Sequence, residues 1–360
     1  MSRQNGGRVR IGIIGTGWWS TQAHLPSLVH YPDADVVAIA DLSAERLRRA
    51  GDAYGIERRY SDFRQMLDAE KLHGVIVATT HATHFEIARE VLLRKLGLML
   101  EKPMVLHARE ARELNHLAER QGVPLIVGYP WHFVPQHEQL RTLIASGYLG
   151  KIQLVANVFA SMVLEYYRGR PEAYASIFNW PVTGPTPATY SEPSVSGGGQ
   201  GSLQVTHSAA LLLWLTALRP VSVAAFMENF DLKVDLCDAI TIRFENGAIG
   251  TIGSTGGIPT AHSGNQQLEY RIYGTEGYAL LDVMAGTCAI YRNDGRIEKL
   301  DPTPPSRSYP QEATSRHLVD LLLGRDVNRS PGEVGVRAVE VLDAAYRSSA
   351  EGRIIRVEEL

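Results

Sequence analysis

Residues 9–20 read Val-Arg-Ile-Gly-Ile-Ile-Gly-Thr-Gly-Trp-Trp-Ser. A short β-branched run that stops at Gly15-x-Gly17 leaves few folds open. Gly15 permits a tight turn after a strand, Gly17 leaves the backbone open to close approach, and a helix that starts there turns its free N–H groups and positive dipole end toward an anion. The third glycine of this dinucleotide fingerprint is replaced by Ser20, which is small enough for close packing of helix on strand. A second apolar run closes on Ile39-Ala40-Asp41. An acidic residue there suits the ribose hydroxyls of a dinucleotide and repels a 2′-phosphate, so NAD is expected rather than NADP. Gly15, Thr16, Gly17, Trp18, Trp19 and Asp41 are the cofactor contacts this pattern predicts.

The pattern continues to about residue 128. Strands are expected at Arg10–Ile14, Val36–Ala40, Val75–Ala78, Leu98–Leu100 and Leu125–Val127. Helical stretches lie between them at Ser43–Tyr54, Ala82–Arg94 and Ala108–Gln121. Most of the strands are continuously apolar, as strands covered on both faces should be. Alternating β and α elements imply a doubly wound parallel sheet, a Rossmann domain over 1–128.

A helix is expected at Pro135–Gly147, and then the periodicity changes. Longer alternating strands are read at 151–162, 221–230, 238–246, 248–255, 268–274, 277–283, 287–292 and 295–300, with hairpin signals such as Asn246-Gly247 and Asn293-Asp294-Gly295. The expectation is an α+β domain over 129–305 with a large, mostly antiparallel open sheet, one face of which is available to another subunit. Residues 165–198 interrupt it with a Pro-, Tyr- and Ser-rich insertion, read as a loop that is either a lid on the substrate side or an oligomer contact. Helices near 310–323 and 333–350 follow a Pro-rich linker, and the 306–360 segment is expected to pack back between the domains.

Composition excludes several function classes. The net charge of -3 and the absence of a Lys/Arg run argue against nucleic acid. No apolar run is long enough to span a membrane and no secretory signal is legible, so a cytoplasmic protein is expected. Cys237 and Cys288 form no CxxC pattern, and His81-Ala82-Thr83-His84 lacks HExxH, so no metal site is expected.

Ligands of open α/β sheets bind beyond the carboxyl ends of the strands. Thr79-Thr80-His81, with His84 close behind, follows one strand, and Glu101-Lys102-Pro103 follows another. Both segments are expected at the nicotinamide side. A partly desolvated Lys102 would have a lowered pKa and be able to move a proton. A surface lysine closing a strand is the plainer alternative. The segment Gly199–Ala217 enters a buried helix through polar residues. Gln200, Gln204 and His207 fall on one helical face at spacings of four and three. Substrate hydroxyls would satisfy that stripe, and so would the 165–198 segment.

These residues, taken together, resemble the Gfo/Idh/MocA family of sugar and cyclitol oxidoreductases over nearly the whole chain. The resemblance rests on Ile13-Ile14-Gly15-Thr16-Gly17, Glu101-Lys102-Pro103, Leu143–Ile152, the helix that Gly197-Gly198-Gly199 leads into and that carries His207, and Tyr273-Gly274-Thr275-Glu276-Gly277. It implies hydride transfer between NAD(P) and a secondary alcohol of a sugar, cyclitol or glycoside, with Lys102 and His207 as catalytic residues. It also implies dimers or tetramers joined through the open sheet. The family often carries an Asp four residues before the histidine; here that position is Leu203. The family's Tyr-Asn-x-Arg-Phe-like segment is Tyr129-Pro130-Trp131-His132-Phe133, which makes His132 a second acid/base candidate. Tyr190, Gln200 and Gln204 are candidate substrate contacts, and the long insertion suggests a larger or aromatic substrate such as a glycoside. Two alternatives remain: an NAD-retaining enzyme that cleaves or epimerises a glycoside through transient oxidation, and a ligand-sensing regulator on the same fold.

Overall fold

A computed structural model describes residues 7–178 and 180–360, Ser263 by its backbone alone. Six parallel strands form the first sheet: β1 (Val9–Ile14), β2 (Ala34–Ala40), β3 (Arg58–Tyr60), β4 (Gly74–Val77), β5 (Gly97–Leu100) and β6 (Leu125–Val127), in the order β3-β2-β1-β4-β5-β6. The four apolar strands β1, β4, β5 and β6 are buried almost throughout, because helices cover both faces. The edge strand β3 escapes a hydrophobicity reading: it has three residues, two of them Arg, and is half-exposed. Gly74 and Gly97 lie opposite each other in register. A Cβ on either would meet Leu322 at 2.9 Å, so the glycine pair makes the flat seat on which the helix Ala313–Leu322 packs.

The second sheet has nine strands. β7 (Ile152–Ala160), β8 (Pro220–Glu228), β9 (Cys237–Phe244), β10 (Ile249–Thr255), β11 (Gln267–Gly274), β12 (Gly277–Asp282), β13 (Thr287–Arg292), β14 (Ile297–Lys299) and β15 (Ile355–Arg356) run in the order β14-β13-β12-β11-β7-β10-β9-β8-β15. Neighbours are antiparallel except β7 and β10, whose pairing is parallel. One face packs on buried helices, chiefly Thr206–Thr216 and Gly332–Glu351. The other presents Val158, Phe226 and Ile249 to solvent at 47%, 79% and 46% exposure. No helix among the described residues is long and apolar enough to cross a membrane.

The 165–198 insertion is not an irregular loop. It folds as short helical turns, Leu164–Tyr167, Pro171–Tyr174, Ala175–Phe178, Ala188–Ser191 and Pro193–Ser196. Each turn is too short and too often begun by proline to show helical periodicity in the sequence. They are held by their own apolar cluster, with Tyr166, Tyr174 and Tyr190 packed on Met162, Val163 and Leu203.

Candidate active site

The strand order reverses between β1 and β4, and the crevice outside their carboxyl ends is where this architecture binds ligands. Here it is a cavity of about 940 Å³ running from Gly15 and Gly17 past Thr79, Thr80 and His81 to Lys102, and on to His207 and Tyr309. The first turn demands glycine at position 15. Its φ is +91°, and a Cβ would sit 2.5 Å from the carbonyl oxygen of Ala78. At Gly17 a Cβ would meet nothing within 4 Å, which leaves an open cradle at the start of the helical residues 18–29.

Asp41 lines the same cavity. Its carboxylate accepts from Thr16 N at 2.8 Å, Thr16 Oγ1 at 3.1 Å, Ser43 N at 2.8 Å and Arg46 Nη2 at 2.6 Å. Burial alone would raise its pKa, but the bonds from Arg46, Ser43 and Thr16 and the guanidinium charge hold it below the usual carboxylate range. Asp41 is therefore a fixed, ionised acceptor. Thr16 is fully buried and does not line the cavity; it holds Asp41 rather than presenting itself to a ligand. His84 departs from expectation in the same way. It is fully buried, with Nδ1 2.9 Å from the carbonyl of Pro103 and Nε2 3.2 Å from that of Thr79, so its ring is wedged between the ends of β4 and β5 and its one N–H donates to one of the two.

Beside these strand ends Glu101 is buried and receives three donors. Trp19 Nε1 lies at 2.9 Å, His24 Nε2 at 3.0 Å and the Lys102 amide at 3.1 Å. Burial pushes its pKa up, but the His24 bond and the nearby positive charges outweigh this and leave it lowered. Lys102 Nζ donates to the carbonyl of Leu203 at 3.0 Å. Burial drops its pKa from 10.5 to about 8, against the opposing pull of Glu101. The sequence has no carboxylate at position 203, and the main chain supplies the acceptor instead. The segment Gly201–Val205 is a π-helical turn, a wider coil that occurs mostly as a local bulge at functional sites.

That turn also splits the polar stripe anticipated on one helical face. Gln204 and His207 line the cavity, whereas Gln200 does not. Gln200 is fully buried, accepts from Tyr167 at 2.9 Å and donates to Ser254 at 2.8 Å, so its amide is consumed in the protein interior. His132 is likewise turned away. It is fully buried, stacked on Trp214 at 4.7 Å and bonded to Ser330 Oγ at 3.0 Å, with no access to the cavity. The family resemblance makes it a candidate, but the short 3-10 turn Pro130–Phe133 aims Trp131 at the cavity and His132 behind it.

His207 is 5% exposed, its Nδ1 has no hydrogen-bond partner, and the rings of Trp131 and Tyr309 stand edge-on to it at 5.3 and 6.1 Å. Burial first, then the charge of Lys102, drives its pKa well below the ordinary histidine value, so the ring is neutral. His81 is pushed down to about 3, chiefly by burial, and bonds the carbonyl of Ser196 at 2.8 Å. Tyr190 accepts from Trp18 Nε1 at 2.9 Å, which ties the insertion to the residue after the glycine turn.

Sequence reasoning did not find Tyr309, His24 or Asp235. Asp235 accepts from the amides of Gly199 at 2.7 Å and Gly201 at 2.6 Å and thereby sets the turn into the His207 helix. None of the three stands in a local pattern that marks it, and only chain packing brings them to the site.

The Gfo/Idh/MocA description "oxidoreductase family, NAD-binding Rossmann fold" matches residues 9–129, and that family's C-terminal domain matches residues 137–280. The chain belongs to the Gfo/Idh/MocA family. The rhizopine catabolism protein MocA of Rhizobium meliloti is 31% identical over 216 residues, which is 60% of this chain and 59% of that protein, so this chain spans little more than half of that relative. A D-apiose dehydrogenase of Paraburkholderia graminis is 25% identical over 98% of this chain and 91% of its own length. Among solved structures, a levoglucosan dehydrogenase in complex with NADH and levoglucosan shares the fold with a TM-score of 0.77 at 19% identity, over 97% of this chain and 99% of that one. The Gfo/Idh/MocA Rossmann domain accounts for the open cradle at Gly17 and the fixed acceptor at Asp41. Both fit a dinucleotide pyrophosphate and ribose.

Proposed function

We propose that the protein is an NAD-dependent oxidoreductase acting on a secondary alcohol of a sugar, cyclitol or glycoside. One observation carries this reading: Lys102, just past the end of β5, and His207, on the helix Thr206–Thr216, line the cavity that begins at the glycine turn, and the charge of the first depresses the pKa of the second. NAD bound along Gly15, Gly17 and Asp41 supplies the two-electron acceptor. The chain's own residues supply the rest. A lysine with a pKa near 8 is partly neutral at physiological pH, and its uncharged amine accepts the carbinol proton. The Leu203 carbonyl holds Nζ in place for that transfer. The neutral His207 ring is too weak a base to compete and acts by hydrogen bonding, its orientation fixed by Trp131 and Tyr309. Gln204, on the same wall, is a further substrate contact, and His81, Thr79 and Thr80 border the cofactor.

The exposed apolar side chains on the outer face of the nine-stranded sheet support association with a second copy, as a homodimer or homotetramer. The test of function is a panel of sugars, cyclitols and glycosides with NAD, followed by absorbance of NADH. One equivalent of NADH per oxidised product is expected. Lys102→Ala should lower turnover by orders of magnitude with NAD affinity nearly unchanged, and full turnover in that variant removes Lys102 from the reaction. Product without free NADH would indicate transient oxidation instead. Silence across the panel with NAD bound would indicate a regulator.

A further inference from the structure

Beyond Lys102 the character of the cavity changes. Among the described residues, every charged side chain on its wall, namely Asp41, Arg46, Arg64, Glu86, Glu101 and Lys102, comes from the first sheet's domain. From Trp131 onward, the described residues that line it include no Asp, Glu, Lys or Arg. Aromatic and apolar groups take their place, in two adjoining clusters. Trp131 and Tyr309 flank His207. Trp18, Tyr166 and Phe178 form the other, with Trp18 and Phe178 at 5.9 Å and Tyr166 stacked on Phe178 at 6.2 Å. This second cluster packs on Leu203, the residue whose carbonyl holds Lys102, so the apolar surface is continuous with the reacting centre.

The polar tips of the indoles are already used. Trp18 donates to Tyr190, Trp19 to Glu101 and Trp131 to the carbonyl of Ser308. The indoles therefore offer ring surface rather than hydrogen-bond donors, and the polar groups on this wall, among them Gln204, Gln266, Thr186 and Thr189, are all uncharged. A bare polyol seated against the rings of Trp18, Tyr166 and Phe178 would lose hydration that ring surface does not replace, a costly exchange. At the same time Ile177 and Met284, both on the cavity wall, remain 42% and 37% exposed with apolar area still to be covered.

We propose that the substrate is an uncharged sugar or cyclitol that carries an aromatic substituent, with the polyol ring beside His207 and the substituent packed among Trp18, Tyr166, Phe178 and Ile177. This rests on the oxidoreductase reading above and narrows its substrate class. An aryl ring can extend the tilted and stacked packing of these side chains and cover the exposed apolar area. A phosphate or carboxylate on that end would be buried without a counter-charge.

The experiment compares matched sets built on several pyranoses: free sugar, methyl glycoside, phenyl glycoside and uronate. Two readouts are used, NADH formation by the wild type, and quenching of tryptophan fluorescence in the NAD-loaded Lys102→Ala variant. Phenyl glycosides should exceed their methyl counterparts in kcat/KM by about tenfold or more, chiefly through KM, and uronates should be poorest. Phe178→Ala should shrink the phenyl-to-methyl ratio, and Ile177→Asp should shrink it further. Equal use of methyl and phenyl glycosides, preference for the uronate, or a ratio unmoved by both substitutions overturns this inference and leaves the oxidoreductase reading intact. Quenching by phenyl glycosides without any NADH upholds the aryl site and defeats the oxidoreductase reading. Neither quenching nor turnover with any phenyl glycoside overturns the inference.

Discussion

The pH dependence of turnover is the sharpest consequence of the buried lysine. With a pKa near 8, the neutral fraction of Lys102 is about 9% at pH 7, about half at pH 8 and about 91% at pH 9. If the neutral amine accepts the carbinol proton, kcat/KM rises about tenfold from pH 7 to pH 9 and levels off above. The direction follows from charge: the protonated ammonium cannot accept, so activity is lost as pH falls through the lysine's pKa. Glu101→Gln is the perturbation that separates this from other titrations. The Glu101 charge raises the lysine pKa. Gln keeps one carbonyl oxygen to accept from Trp19 and His24, and removes the charge together with the oxygen that accepts from the Lys102 amide. The inflection should then move below that of the parent, and the activity difference between pH 7 and pH 9 should narrow. Initial rates of NADH formation at low substrate, from about pH 6 to about pH 10, measure both profiles. An inflection that stays in place in Glu101→Gln refutes the electrostatic argument. A parent inflection near the ordinary imidazole range points to a histidine and refutes the choice of base.

Two further outcomes are expected. Asp41→Ser removes the fixed carboxylate and frees Arg46; NAD should bind about 10- to 100-fold more weakly, from roughly 1.5–3 kcal/mol of charge-assisted hydrogen bonding, while NADP use improves. The ratio of kcat/KM for the two cofactors measures this, and an unchanged ratio would mean that Asp41 does not face the ribose. Leu203→Asp sets a carboxylate into the apolar cluster of Tyr166 and Tyr190; the melting temperature should fall, with a loss of about 2–4 kcal/mol, and the pH inflection should move above that of the parent, because an anion beside Lys102 favours its charged form. A stability change with no movement of the inflection would show that residue 203 does not face the ammonium.

The sequence determined what depends on neighbours along the chain. Gly15-Thr16-Gly17 after a β-branched run specifies a strand, a left-handed glycine turn and a helix start, and it does so through backbone sterics that need no distant partner. The alternation of apolar runs and helical stretches determined the parallel sheet, and the longer period-two runs determined the second sheet, because side-chain direction in each element follows its own repeat. Glu101-Lys102-Pro103 stood out as chemistry for the same local reason, a charged pair at a strand end. Tertiary structure decided which polar residues reach the cavity. A single π-helical turn moved Gln200 into the interior while leaving Gln204 and His207 on the wall. Stacking on Trp214 took His132 out of reach. The Leu203 carbonyl became the lysine's acceptor because the turn carries it there, although the side chain at that position suggests only a vacancy. The insertion acquired structure only through contacts among aromatic residues far apart in the chain, since four-residue turns have too few internal hydrogen bonds to stand alone. Local conformational preference is written residue by residue. The environment that sets a pKa or closes a cavity is made by groups that meet only when the chain has folded.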